Sequence, residues 1–267
     1  MLRDITIGQY FPGKSVIHRL DPRFKIIITG IFIAMLFAAD GFIGLAVSCA
    51  FILMTYLLSN IPIKLMVKSL KPIIPVILFT SVLNLFFIDG VSVFSFWVIN
   101  ITDEGLITTA FMIIRIIALI SGSSLLTYTT SPIILTDAIE RLLSPLNKVK
   151  FPVHELAMMM TIALRFIPTL IEETDKIMSA QKARGADMDS GGLLKRAAAL
   201  VPILIPLFVS AFRRAEELAL AMECRCYQGG EGRTRLKTLK SSGADYSAMA
   251  VALLFLAAVF VINAVTG

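Results

Sequence analysis

Residues 105–126 read GLITTAFMIIRIIALISGSSLL, and residues 246–265 read YSAMAVALLFLAAVFVINAV. The only charge in either stretch is Arg115. A helix rises 1.5 Å per residue, so about 20 apolar residues cover the hydrocarbon core of a bilayer. Both runs are long enough to cross. Shorter apolar runs at 42–58 and 72–88 stand at the lower limit, and the run at 26–39 falls below it unless its flanks contribute. Composition agrees. Of 267 residues, 57% are hydrophobic and 16% charged, against roughly 45–50% and about 25% in soluble domains. These values exclude a disordered chain and argue against an ordinary soluble enzyme. The predicted class is an all-α integral membrane protein with about five transmembrane helices.

Charge placement gives an orientation. The net charge of +6 comes from 25 basic and 19 acidic residues. Arg3, Lys14, Arg19, Arg23 and Lys25 precede the first run; Lys64, Lys68 and Lys71 follow the second; sixteen more lie within 131–240. The intervening loops carry only Asp40, Asp89, Asp103 and Glu104. Basic residues collect on the cytoplasmic side, so a cytoplasmic N-terminus, an external C-terminus and a plasma-membrane location are predicted. The polar first 25 residues hold no apolar core with a small-residue cleavage site, so no cleavable signal peptide is read there. Asp40-Gly41 suits a tight turn in which glycine takes positive φ. The stretch 91–101, with Trp97, is too short to cross and suits the interface. Arg115 calls for a partner within the bundle.

The organisation read from this is a cytoplasmic N-terminal segment (1–25), a membrane domain of about four spans (26–130), a cytoplasmic block (131–240) and a last span (241–267). The block is too polar to span and too apolar to be a loop. Ser131-Pro132 starts a helix that ends before Pro145. A second helix is predicted from about Val153 to Arg184, kinked at Pro168 and closed by Gly185 in a left-handed conformation. A third runs from about Leu193 to Arg225, interrupted by Pro202 and Pro206 and followed by a basic tail, Arg233 to Lys240. Met159, Met160, Ala163, Leu164 and Ile167 form an apolar stripe at spacings of three and four. Each long helix is apolar first and charged later, and ends in an arginine between small residues: Ala183-Arg184-Gly185 and Cys224-Arg225-Cys226. A terminal arginine complements the helix dipole by about 0.3–1 kcal/mol. Small neighbours also leave its guanidinium free to enter a pocket on another protein. Pattern alone weighs the two readings equally.

With these residues in view, the chain resembles the transmembrane T components of energy-coupling factor transporters (EcfT, CbiQ family). The opening Gly8-Gln9-Tyr10-Phe11-Pro12-Gly13-Lys14-Ser15, followed by His18-Arg19-Leu20-Asp21-Pro22-Arg23-Phe24-Lys25, looks like that family's N-terminal signature. Members typically carry Ala-Arg-Gly twice. Here the first copy is intact, and the second keeps its arginine between cysteines. The resemblance implies a non-catalytic scaffold, without cofactor, whose cytoplasmic coupling helices dock through Arg184 and Arg225 on acidic grooves of two ATP-binding-cassette subunits. It also implies a substrate-binding membrane protein, the S component, seated on their apolar face, with Leu156, Met159, Met160, Ala163, Leu164 and Ile167 as candidate contacts. The cargo would be a vitamin or a transition-metal ion. The opening is similar to members shared among several S components. Methionines 158, 159, 160 and 178 offer an adaptable surface.

Other signals carry less. Gly8-x4-Gly13-Lys14-Ser15 matches a phosphate-binding loop to the letter, but that loop needs a strand before it and a helix after it, and Pro12 removes a donor. Cys224 and Cys226 are too few for a closed zinc site. His18 is read as fixing the N-terminal loop, and His154 as a local partner of Glu155 or of backbone. The basic tail suits anionic lipid, and nothing points to nucleic acid. The alternatives are a self-sufficient permease, opposed by the few polar residues within the spans, and an intramembrane enzyme, opposed by the lack of a carboxylate pair or Ser-His arrangement there.

Overall fold

Each helix begins and ends where local chemistry asks for it. The computed structural model describes residues 10–88, 92–96, 99–149, 151–186, 192–229 and 239–266. Ser15 caps a single turn, α1 (Val16–Arg19), by accepting the His18 N–H. Asp21 caps α2 (Pro22–Ala38), with proline at its first position. There the missing N–H costs nothing. Then come α3 (Phe42–Ser59), α4 (Ile63–Leu70), a 3-10 turn (Lys71–Ile73) and α5 (Ile74–Phe87). Two short antiparallel strands, β1 (Ser92–Phe96) and β2 (Ile99–Thr102), precede α6 (Asp103–Thr129), whose cap is Thr102. The chain continues through α7 (Pro132–Leu143), a 3-10 segment (Ser144–Val149), α8 (Val153–Ala183), α9 (Leu193–Glu223) and α10 (Gly243–Thr266).

The all-helical membrane class holds, with the hairpin as its one strand element among the described residues. Six helical segments are long and apolar enough to cross a membrane: Phe42–Ser59, Ile63–Phe86, Asp103–Thr129, Val153–Ala183, Ala198–Glu223 and Gly243–Val265. The two long helices of the 131–240 block qualify by length and composition, while α2, at 17 residues, is shorter than all six.

Two local expectations need correction. The lysines 64, 68 and 71 do not lie in a loop. Helix starts at Ile63, and the only interruption before α5 is the 3-10 turn carrying Pro72, with Pro75 in the first turn of α5. Proline breaks the hydrogen-bond ladder there without ending the rod. Gly41 does not use positive φ; it caps α3 in extended backbone at φ −123°. α8 runs through Pro168 without ending there, as its expected span requires. Trp97, Gly8, Gln9, Arg233, Arg235 and Lys237 lie outside the described residues.

Two compact units emerge, one of Thr136–Lys237 and the other of Gly8–Leu135 with Thr238–Gly267. In the latter, α2, α3, α6 and α10 pack on one another around Phe32, Met35, Leu36, Leu45, Phe51 and Val259. Polar groups secure both ends of this bundle. Asp245 (1% exposed) accepts the N–H of Asp21 at 2.7 Å and that of Ser242 at 2.6 Å. At the far end, Asn263 Nδ2 donates to the Ala38 carbonyl, and Arg115 Nη2 donates to the Ala39 carbonyl at 2.6 Å. Arg115 also stands 4.5 Å over the Phe111 ring. It therefore serves the buried carbonyl end of α2, a partner within the bundle as its cost in lipid demands. Because Asp245 meets the start of α2 and Asn263 its end, α2 and α10 run parallel.

Candidate functional site

The two arginine triplets are built alike, down to individual hydrogen bonds. At the end of α8, the Gly185 N–H bonds the Lys182 carbonyl at 3.0 Å and the Ala186 N–H bonds the Gln181 carbonyl at 3.0 Å. At the end of α9, the Cys226 N–H bonds the Glu223 carbonyl at 2.8 Å and the Tyr227 N–H bonds the Met222 carbonyl at 3.1 Å. This is the Schellman arrangement, which needs a left-handed residue just past the helix. Gly185 supplies it at φ +84° and Cys226 at φ +54°. Ala183, Arg184, Gly185, Cys224, Arg225 and Cys226 are all exposed. Neither guanidinium has a hydrogen-bond or ion-pair partner among the described residues. These closures already occupy terminal carbonyls, and neither arginine side chain bonds one. Neither arginine caps its helix by a side-chain hydrogen bond, and what each adds at the helix end is its charge beside the dipole.

The unit that carries them is an antiparallel pair. Near one end, Gln181 Nε2 donates to the Pro202 carbonyl at 3.4 Å. That carbonyl would ordinarily accept from residue 206, which is proline and has no N–H. Further along, Arg214 donates to Glu173 at 2.9 Å. At the other end, Met158 and Met222 line a cavity of about 350 Å³ together with Arg225 and Tyr227. Arg184 and Arg225 therefore stand at opposite ends of the pair. Arg225 stands level with Met158, 26 residues before Arg184 along α8, so at 1.5 Å per residue the two arginines lie about 40 Å apart.

The stripe read on α8 divides. Met159, Met160, Ala163 and Ile167 are exposed, while Leu156 and Leu164 are half-buried. A broader apolar face lies on α9, which the stripe on α8 did not include. There Ile203 is buried, and Val201, Leu204, Ile205, Phe208 and Phe212 are exposed, Phe208 at 61% and Phe212 at 68%. Their spacing of three and four residues was a readable signal.

The remaining candidates have local work. The His18 ring bonds the Ser15 hydroxyl at 2.7 Å and the Phe11 carbonyl at 3.0 Å, fixing the N-terminal loop. A side chain at Gly13 would collide with that ring. Within the phosphate-loop match, Gly13 thus packs and Ser15 caps. His154 pairs with Glu140 at 3.0 Å rather than with Glu155 or backbone, because α7 supplies a carboxylate from fourteen residues away. Cys224 and Cys226 are free thiols. Among the described residues, no group of three or more His, Cys, Asp or Glu could hold a metal ion.

Comparison with known proteins extends this geometry. A family model described as cobalt transport protein, CbiQ, matches residues 13–236. The energy-coupling factor transporter transmembrane protein EcfT of Thermosediminibacter oceani is 58% identical over 247 residues, covering 92% of this chain and 93% of its own. The protein of the same name from Ruminiclostridium cellulolyticum is 53% identical over 256 residues, 96% of each chain. That from Bacillus subtilis is 49% identical over 259 residues, 97% of each.

Proposed function

The chain belongs to the CbiQ family, with the transmembrane proteins of energy-coupling factor transporters, and from that membership we propose that it is the coupling subunit of such an importer. In this reading Arg184 and Arg225 dock on two separate ATP-binding-cassette subunits, one at each end of the α8/α9 pair. The helices carry the motion of ATP binding and hydrolysis to a substrate-binding S component, which captures a vitamin or a metal ion. ATP hydrolysis belongs to the cassette subunits, and the cargo is chosen by the S component. The N-terminus is cytoplasmic and the 131–240 block lies on the cytoplasmic side. The relatives bear the general energy-coupling name, which favours a module shared among several S components.

One observation carries the proposal. Two helix ends of like hydrogen bonding present arginines without a partner among the described residues, about 40 Å apart, a spacing suited to two proteins rather than one. Arginine fits the task through its permanent charge and forked donors.

The test is co-expression with the two cassette ATPases and an S component, comparing wild type with Arg184→Glu and Arg225→Glu. Reversing a charge that is buried against an acidic groove should weaken ATPase association roughly a hundred-fold and abolish uptake in vesicles, with membrane insertion intact. Normal assembly and uptake in both variants would sink the docking assignment.

A further inference from the structure

The start of α2, the end of α3, the end of α6 and the start of α10 meet at one end of the bundle, where they enclose an apolar cavity of about 250 Å³. Met54, Leu58, Leu126 and Val251 line it, and α1 contributes Val16 and Leu20. Met54 and Leu58 are exposed, and Val16 is 60% exposed, so the cavity opens to the surroundings beside α3 and α1. In a membrane protein those surroundings are lipid.

The cations of the N-terminal segment that bounds this cavity divide into used and unused. Lys25 reaches the cavity, but its ammonium donates to the His18 carbonyl at 3.2 Å, the Thr129 carbonyl at 3.1 Å and the Thr130 hydroxyl at 3.4 Å. All three of its protons are committed. Arg23 is paired with Asp21 at 2.6 Å. Lys14 and Arg19 are exposed, and neither has a hydrogen-bond or ion-pair partner among the described residues. In sequence they flank Val16, the most exposed of the three open residues of the cavity wall. An apolar slot with two uncommitted cations at its mouth matches an acyl chain joined to an anionic headgroup.

We propose that this cavity holds one acyl chain of an anionic phospholipid, with the lipid phosphate on Lys14 and Arg19. The chain fills space between the N-terminal turn and the spans, and the phosphate offsets one of the two positive charges beside it. The site recognises the lipid by charge at its mouth and by apolar lining within.

Tryptophan fluorescence with brominated lipids tests this on the full-length chain in vesicles. Trp97, the single native tryptophan, is replaced by Phe. A reporter is then placed in the cavity (Leu126→Trp, with Met54→Trp as a second in case the first fails to fold) or on the exposed face of α10 (Leu254→Trp). Brominated phosphatidylglycerol and brominated phosphatidylcholine are compared as quenchers. The expected result is a preference of about five-fold or more for phosphatidylglycerol at the cavity reporters and a ratio near one at Leu254→Trp. Adding Lys14→Gln and Arg19→Gln should bring the cavity ratio to about one while both lipids still quench. Equal quenching by the two lipids at the cavity reporters, or no quenching by either, overturns the proposal. So does a preference that survives both glutamine substitutions.

Discussion

At the residue scale, position 226 shows how a departure from a motif is tolerated and what it costs. Cys226 occupies the left-handed place that Gly185 fills in the other triplet, at φ +54° against +84°. A side chain in that region meets the following carbonyl, at a cost of roughly 1–2 kcal/mol for an L-residue. Cys226→Gly should therefore stabilise the end of α9 by about 1 kcal/mol. Gly185→Ala should cost a similar amount through backbone alone, since nothing stands within 4 Å of an added Cβ. Thermal unfolding of the purified chain checks both: the midpoint should rise for the first and fall for the second, and a fall for Cys226→Gly contradicts the account. The arginine triplets were legible as a repeated pattern. That the second copy would keep the same backbone was not legible, because a cysteine at that place is a poor cue for positive φ and only the observed hydrogen bonds establish it.

At the scale of elements, the long helices were legible because capping residues and glycines bound them. α8 and α9 begin at the expected residues and end within two residues of the expected places. The lysines before α5 misled because prolines usually mark a loop, whereas Pro72 and Pro75 sit where a new helical segment starts and need no donors. The division of apolar faces on α8 and α9 was not readable either, because which stripe is covered depends on the partner helix. The exposed band on α9 now makes the sharper prediction for the S component. Ile205→Glu and Phe208→Glu place charges on exposed side chains, so each should change the chain's own stability by no more than about 0.5 kcal/mol. Each should nevertheless abolish co-purification of the S component while the ATPases remain bound. Met159→Glu on α8 provides the comparison: a larger loss there than on α9 would return the principal contact to α8.

At the scale of the whole molecule, the parallel course of α2 and α10 has a consequence for topology. Asp21 meets Asp245 at one end and Ala38 meets Asn263 at the other, so two helices that cross in the same sense begin on the same side. The chain must then cross an odd number of times, which both five and seven crossings satisfy. Length and hydropathy allow both, because α8 and α9 are themselves long and apolar enough to cross, whereas charge bias favours five, since seven would carry Lys182, Arg184, Lys195 and Arg196 outside. The difference lies in where the turn after α8 sits. If α8 and α9 stay on the cytoplasmic side, Arg184 and Arg225 share that side, as docking on cytoplasmic ATPases requires. If both cross, Arg184 is carried outside and only Arg225 remains within reach. Single cysteines in a cysteine-free background separate the cases. Val265→Cys, 80% exposed at the end of α10, should react with an impermeant maleimide in intact cells. Ser242→Cys should react only after permeabilisation, and so should Ala186→Cys beside the first triplet. Labelling of Ala186→Cys in intact cells would place the end of α8 outside. One docking arginine would then be beyond the ATPases, and the proposed coupling geometry could not operate.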